Sequence, residues 1–306
     1  MKFALCVFLF SITISARWGE VKTITNHRIS AKQYNAAWYT TDMSDKQAVF
    51  KLFEVLSKTK TGKLLLKRAL AKAAKYNKNL MSLVLPGEHS LTDTTLVRRF
   101  SADDPGKMSF EARSKVYINK YLPLNDAVLD LAHELTHFAM RDTFNPYRKN
   151  YGLKKFVKST IEGKGGEVEA YLVECQVSAE LFKNTKDGKC DLVVDKRTGK
   201  LSSAKGHRQF YRLGEHYRDF SNKIKKHSLD HNDFYKTSNE EALFISSAYG
   251  IPYPLAAVHE FEMIMGKVCQ NDKKRLNYMK TSRSIASEKK YSSLRSGFES
   301  RCAKYL

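Results

Sequence analysis

Beyond its first sixteen residues the chain has no apolar run long enough to cross a bilayer, which excludes an internal transmembrane span. It has no CxxC pair, so a thiolate zinc ribbon or a thioredoxin-type redox site is excluded. It shows no internal repeat, no low-complexity tract and no RNA- or DNA-binding motif, so specific nucleic-acid recognition is not expected. Acidic residues are scarce: 32 Asp and Glu stand against 53 Lys and Arg, a formal net charge of +21. That excess attracts polyanions and makes an acidic polymer or an anionic surface a candidate partner, without choosing between them.

What the chain does have begins at its start. One positive charge, a short apolar run and a small residue at Ala16 describe a secretory signal peptide over residues 1–16, with export to a periplasm or beyond the cell. Cys6 lies inside that run. The remaining cysteines are Cys175, Cys190, Cys269 and Cys302, an even number that suits an oxidising compartment. Sequence proximity favours Cys175 with Cys190 and Cys269 with Cys302, because short loops close more readily.

Periodicity divides the chain into three parts after the leader: a helical subregion over 17–78, a core over 79–185 and a mostly helical region over 186–306. Trp18, Trp38 and Tyr39 are possible anchors of the polar opening segment. Ser44 marks a helix start followed by Val49, Phe50, Phe53 and Leu56 at helical spacing, and Gly62 interrupts before a second basic amphipathic helix to about Asn77. Three short strands follow, at Met81–Leu85, Thr95–Phe100 and Lys115–Asn119, and the last leads directly into a helix. Glu167 to Phe182 resumes as helix after the break at Gly163-Lys164-Gly165-Gly166. Turn signals at Asp187-Gly188 and Thr198-Gly199 predict a hairpin. The fold class expected is α+β.

The helix after the third strand carries the chemistry. His133-Glu134-Leu135-Thr136-His137 places two imidazoles four residues apart on one helical face, within reach of one metal ion. Glu134, beside the first histidine, can take a proton from a water held at that metal and pass it to a leaving amine. Val128, Leu131, Ala132, Leu135, Phe138 and Ala139 give the helix its apolar face, and Asn125 or Asp126 can cap it. Two histidines leave a catalytic zinc site one protein ligand short. Met140 and Thr143 occupy the positions where a metzincin would carry its glycine and third histidine. The remaining common solution is a glutamate from a later helix: Glu167 first, with Glu169, Glu162 and Glu174 as rivals. Glu167 and Glu169 lie some two hundred degrees apart round a helix, so both cannot serve.

With Glu167 three residues before Ala170, the chain resembles the gluzincin metallopeptidases, and locally the ExxA helix of the prenyl-protein peptidase and ImmA-like branches. It differs from them in having Tyr171 after the alanine and, from the membrane branch, in lacking spanning helices. The resemblance covers roughly Lys115 to Phe182. It implies a zincin-like small mixed sheet over the active-site helix, with Zn2+ held by His133, His137 and Glu167 and with Glu134 as general base. It also implies a protein or peptide substrate. For the oxyanion, Tyr171, His207, His216, His227, His231 and Tyr249 are candidates, the pair His227 and His231 being read as solvent-facing. Asp130 or Asp142 is placed to orient a ligand imidazole. The same site would serve a zinc amidase acting on peptidoglycan. The other readings are a zincin scaffold without turnover and a basic polyanion-binding protein without catalysis.

Overall fold

A computed structural model describes residues 15–16, 35–100, 107–148, 151–182, 188–246, 248–281 and 288–305. The leader apart from Ser15 and Ala16, with Cys6, Trp18 and Asp187, lies outside the described residues.

Helix α1 (Asp45–Leu56) starts where Ser44 predicts. The Ser44 hydroxyl accepts from the Gln47 N–H at 3.3 Å while the Gln47 side chain accepts from the Ser44 N–H at 3.0 Å, a reciprocal capping box. The helix buries Ala48, Val49, Leu52, Val55 and Leu56, and leaves Phe50 exposed. Helix α2 (Lys60–Lys75) begins earlier than expected, capped by Thr59, and runs through Gly62 instead of restarting after it. The glycine is there for a close approach: a Cβ on Gly62 would lie 2.1 Å from the Leu56 carbonyl oxygen. Trp38 is fully buried and donates its indole N–H to the Asn119 carbonyl at 2.8 Å, pinning the opening segment to the sheet.

The second and third of the expected strands are longer than their apolar cores suggested, and the first is displaced. β1 (Ser15–Ala16), β2 (Val84–Gly87), β3 (Leu91–Phe100) and β4 (Met108–Asn119) form one mixed sheet in the order β1-β3-β4-β2. β3 and β4 pair antiparallel from Leu91 opposite Tyr117 to Phe100 opposite Met108, and β2 runs parallel to β4. Cross-strand hydrogen bonding extends the hairpin through polar residues that hydrophobic alternation cannot see. Residues 80–82 form a 3-10 turn, so the strand expected from Met81 starts at Val84. β4 is interior, flanked by β2 and β3, and buries Val116 and Ile118 against helix α3 (Leu124–Met140).

α3 starts at Pro123, not at an Asn125 or Asp126 cap. Proline lacks an N–H, and the Leu124 N–H is taken by the Ala36 carbonyl at 2.9 Å, so two of the first-turn positions need no side-chain cap. Beyond α3 come α4 (Leu153–Ile161) and α5 (Glu167–Leu181). The predicted hairpin is the short pair β5 (Val194–Asp195) and β6 (Lys200–Leu201), turned at Gly199 with φ +67°. The chain continues through α6 (Ser203–Phe210), α7 (Tyr217–Lys226), a second small hairpin of β7 (Ile245–Ser246) and β8 (Ile251–Pro252), the long α8 (Tyr253–Thr281) and α9 (Glu288–Cys302). This is an α+β architecture.

Two apolar cores share α5. Val177 and Phe182 join the core of α1, α2, the sheet and α3, while Val168, Tyr171 and Cys175 join the core built on α4, α6, α7 and α8. The disulfides are Cys175–Cys190 and Cys269–Cys302, the pairing that proximity favours. Such bonds belong to an oxidising compartment. Among the described residues no helix is long and apolar enough to cross a membrane. The two cores are also tied by charge: Arg98 on β3 meets Asp272 on α8 at 2.7 Å, with side chains only 2% and 8% exposed. Arg301 bonds the other oxygen of Asp272, and the Arg98 guanidinium lies 4.1 Å from the Tyr147 ring centre. Asp272→Asn leaves Arg98 buried without its counter-charge and is expected to cost about 3 kcal/mol, the lower end for a broken buried pair. Urea unfolding of the variant measures it, and an unchanged midpoint would remove this bridge from the account of stability.

Candidate metal centre

The packing of α5 on α3 brings together residues thirty positions apart. His133, His137 and Glu167 each offer a ligand atom, all within 4.8 Å of one another, and all three residues are buried. Helical spacing alone puts both imidazoles on one side of α3. Glu167 enters from the first turn of α5, and its Oε2 stands 3.5 Å from Nε2 of both histidines.

Each imidazole is oriented through its other nitrogen. The Glu174 Oε2 lies 3.1 Å from His133 Nδ1, and the Gly165 carbonyl oxygen lies 2.8 Å from His137 Nδ1. Both bonds leave Nε2 pointing at Glu167, the arrangement by which carboxylates and carbonyls fix a metal-ligating histidine. Gly165 also accepts from Arg141 Nε at 3.0 Å, and Arg141 reaches the second Glu167 oxygen at 3.3 Å. Only glycine fits at position 165: its φ is +66°, and a Cβ there would lie 2.4 Å from the Arg141 nitrogen.

Two buried atoms at the centre, His133 Nε2 and Glu167 Oε2, have no hydrogen-bond partner. Buried polar atoms are nearly always satisfied, and two that face each other beside a second imidazole fit a site for a cation. Electrostatics point the same way. Burial works against charge on His133, but Glu167 and Glu174 outweigh it and hold its pKa well above the ordinary value. Burial pushes Glu167 up, yet His137, His133 and Arg141 bring it well below the usual carboxylate range. The cluster is built to hold positive charge between its members. Two imidazoles and a carboxylate are a donor set that suits zinc and other borderline divalent ions. The buried His133–His137–Glu167 group can therefore hold a metal ion.

Glu134 is 4% exposed, and its carboxylate accepts from the Thr92 hydroxyl on β3 at 2.7 Å. The same hydroxyl lies 2.8 Å from the Glu134 carbonyl oxygen, so the single proton serves either. Strand β3 thus supports this residue next to the ligand pair. Glu260 on α8 is buried as well. Burial, eased by Arg141 and reinforced by Glu167, pushes its carboxyl up to about 8, so near neutral pH it adds little charge.

Other candidates lie elsewhere. The Glu169 carboxylate accepts from the Gly165 N–H at 2.7 Å and Glu162 accepts from the Tyr211 hydroxyl at 2.6 Å, so neither joins the cluster. Glu174 serves behind His133 rather than as a ligand. Asp130 bonds the Ser90 hydroxyl, and Asp142 lies beside Lys72; the imidazoles take other partners. Tyr171 packs in the second core, edge-on against the stacked rings of Phe210 and Phe244, on the buried face of α5 with Val168 and Cys175. His207 meets Tyr235, His216 lies beside Glu215, and Tyr249 meets His259. His227 and His231 are not solvent-facing. His227 packs by Phe261 and Glu262, while His231 stacks on Tyr217 between the Ser221 and Thr237 hydroxyls. Sequence reasoning missed Thr92, Gly165 and Arg141. Only Arg141 carried a local signal, standing four residues beyond His137 on the ligand face.

Glu167→Ala is expected to abolish stoichiometric metal binding. Glu174→Gln is expected to weaken it by roughly ten- to a hundredfold, the usual cost of losing a ligand's outer partner. Metal content after dialysis, with competition against a chelator, measures both. Full affinity in Glu174→Gln would show that the His133 ring is held by other means.

No protein-family model, curated protein or solved structure matches this chain.

Proposed function

We propose that the protein is an exported zinc-dependent metallopeptidase of the gluzincin type, with His133, His137 and Glu167 as the metal ligands and Glu134 as the catalytic base. The observation that carries this reading is the meeting of three ligand residues from α3 and α5, with His133 Nε2 and Glu167 Oε2 buried and without a hydrogen-bond partner, and with Glu134 adjacent. The HExxH order and the Glu167–Ala170 spacing support the gluzincin assignment. The disulfides support export.

When bound, zinc supplies a Lewis acid that polarises the scissile carbonyl and makes a nearby water acidic enough to attack at neutral pH. The chain's own residues do the rest. Glu134 accepts the proton of the attacking water and returns it to the departing amine nitrogen as the C–N bond breaks, so the net change is one water added across the peptide bond. Thr92 keeps the carboxylate turned to that task. Glu174 and the Gly165 carbonyl keep both imidazole rings facing inward, and Arg141 holds the far oxygen of Glu167. An extended peptide would add beside β3, whose outer edge already takes Ser15 and Ala16 opposite Thr95 and Thr94.

One observation favours a second reading, a zinc amidase acting on acidic wall material. An open groove of about 890 Å³ runs along α4 and the C-terminal helix, lined by Lys154, Lys155, Lys158, Arg301 and Lys304. Tyr151 lines both this groove and the cavity beside His137. Digestion of purified peptidoglycan against casein separates the two.

Glu134→Gln is expected to keep its zinc and lose roughly a hundred- to ten-thousandfold in turnover on whichever substrate is cut. Metal analysis and a peptide-library assay on the same preparation test this. A fully active variant would sink the mechanism, and wild-type protein that holds zinc but cuts nothing would leave a non-catalytic scaffold.

A further inference from the structure

A small cavity of about 60 Å³ opens beside the metal centre, lined by His137 and by Thr92, the partner of Glu134. Its walls are largely apolar, with Leu96, Phe138 and Ile264 among them. Into this lining comes Lys72, from a helix remote in sequence from the ligands. Its placement is constrained. α2 is fastened to α5 where Glu180 accepts from the Thr61 N–H and hydroxyl at 3.0 and 2.5 Å. The Lys72 ammonium donates to the Arg141 carbonyl at 2.7 Å and lies 5.8 Å from the Phe138 ring centre. An ammonium has three donors, and that bond uses one.

We propose that this cavity is a carboxylate-selective subsite and that Lys72 is the residue that confers the selectivity. The inference rests on the peptidase reading for what brings the carboxylate there, namely an acidic side chain or the free C-terminus of a peptide. A cation set against apolar walls attracts an anion more strongly than one in open water, because the surroundings screen it less. The small volume matches a compact head group. The charged groups acting on the ammonium are Asp142 and Arg141 at the end of α3 and Lys75 on its own helix; His137 and Tyr151 are the other titratable groups of the lining, and the wall from β3 and β4 carries Thr92, Thr94 and Ser114. Asp142 competes for the ammonium, so an incoming carboxylate must displace or share it.

Burial brings the pKa of Lys72 down to about 8, with Asp142 opposing and Arg141 and Lys75 adding to the shift. The amine is therefore charged below about pH 8 and neutral above it. Carboxylate preference should be full near pH 6 to 7 and fade as pH rises through that value.

The test measures binding of blocked dipeptides to zinc-loaded, full-length Glu134→Gln protein, which holds substrates without turning them over. N-acetyl-Ala-Gln-amide is the uncharged baseline, N-acetyl-Ala-Glu-amide carries a side-chain carboxylate, and N-acetyl-Ala-Gln with a free C-terminus carries a terminal one. At least one charged peptide is expected to bind tenfold or more tighter than the baseline, and which one identifies the source. Adding Lys72→Met should erase that advantage and leave the baseline affinity unchanged, while Lys72→Arg should keep it. No carboxylate advantage, or no binding of any peptide, would overturn the proposal. So would an advantage that survives Lys72→Met, which would assign the anion to the metal or to Arg141. Equal weakening of all three peptides by Lys72→Met would leave Lys72 only a structural role at the end of α3. Casein cleavage by the wild-type chain is read separately. No cleavage with the advantage intact would overturn the peptidase reading alone, and cleavage without the advantage would overturn the subsite alone.

Discussion

Glu167 is a carboxylate with no exposure to solvent, and everything around it is arranged to make that tolerable. An isolated buried charge costs far more than a domain's whole stability margin, so it persists only where opposite charge and hydrogen bonds replace water. Here Arg141 holds one oxygen while two imidazoles face the other. Arg141 is itself buried and is held by the Gly165 and Thr160 carbonyls. The left-handed glycine, the arginine and the outer carboxylate Glu174 thus form one connected support. Remove any part and a buried charge or an unpaired ring nitrogen is left behind.

That support needs a rigid frame, and the seam between the two cores supplies it. α5 contributes apolar side chains to both, so its rotation about its own axis is fixed from two sides. The disulfide from Cys175 ties its middle to Cys190. The sheet holds the other flank, since β3 places Thr92 against Glu134 and Arg98 against Asp272. A site held on helices and a strand keeps its ligand geometry better than one on loops. Beside His137 the same frame leaves a cavity with largely apolar walls, lined also by Lys72.

Local patterns were legible in proportion to how local their causes are. The Ser44 cap, the start of α5 after Gly166 and the buried alternation of Val116 and Ile118 follow from short-range rules, and the structure keeps them. The α3 cap differed because a distant carbonyl, from Ala36, took the helix's free N–H. The polar arms of β3 and β4 differed because backbone pairing, not apolar alternation, extends them. Tyr171 lay one turn from Glu167, where a catalytic role was conceivable. Facing Phe210 and Phe244 across a core decided otherwise.

The sequence by itself determined the two imidazoles, their shared face and the neighbouring Glu134, because a helix converts spacing into direction without outside help. Among three possible cysteine pairings it favoured the one the structure has, because short loops close more readily. The sequence put Glu167 first of four glutamates, and only the tertiary structure brings its carboxylate to Nε2 of both histidines, because that depends on which turn of α5 meets α3. The tertiary structure alone assigned the outer partners Glu174, Gly165 and Thr92, and it alone brought Lys72 to the cavity. Those residues come from elements far apart in the chain, and their meeting is set by the packing of helices and sheet, which spacing along the sequence does not encode.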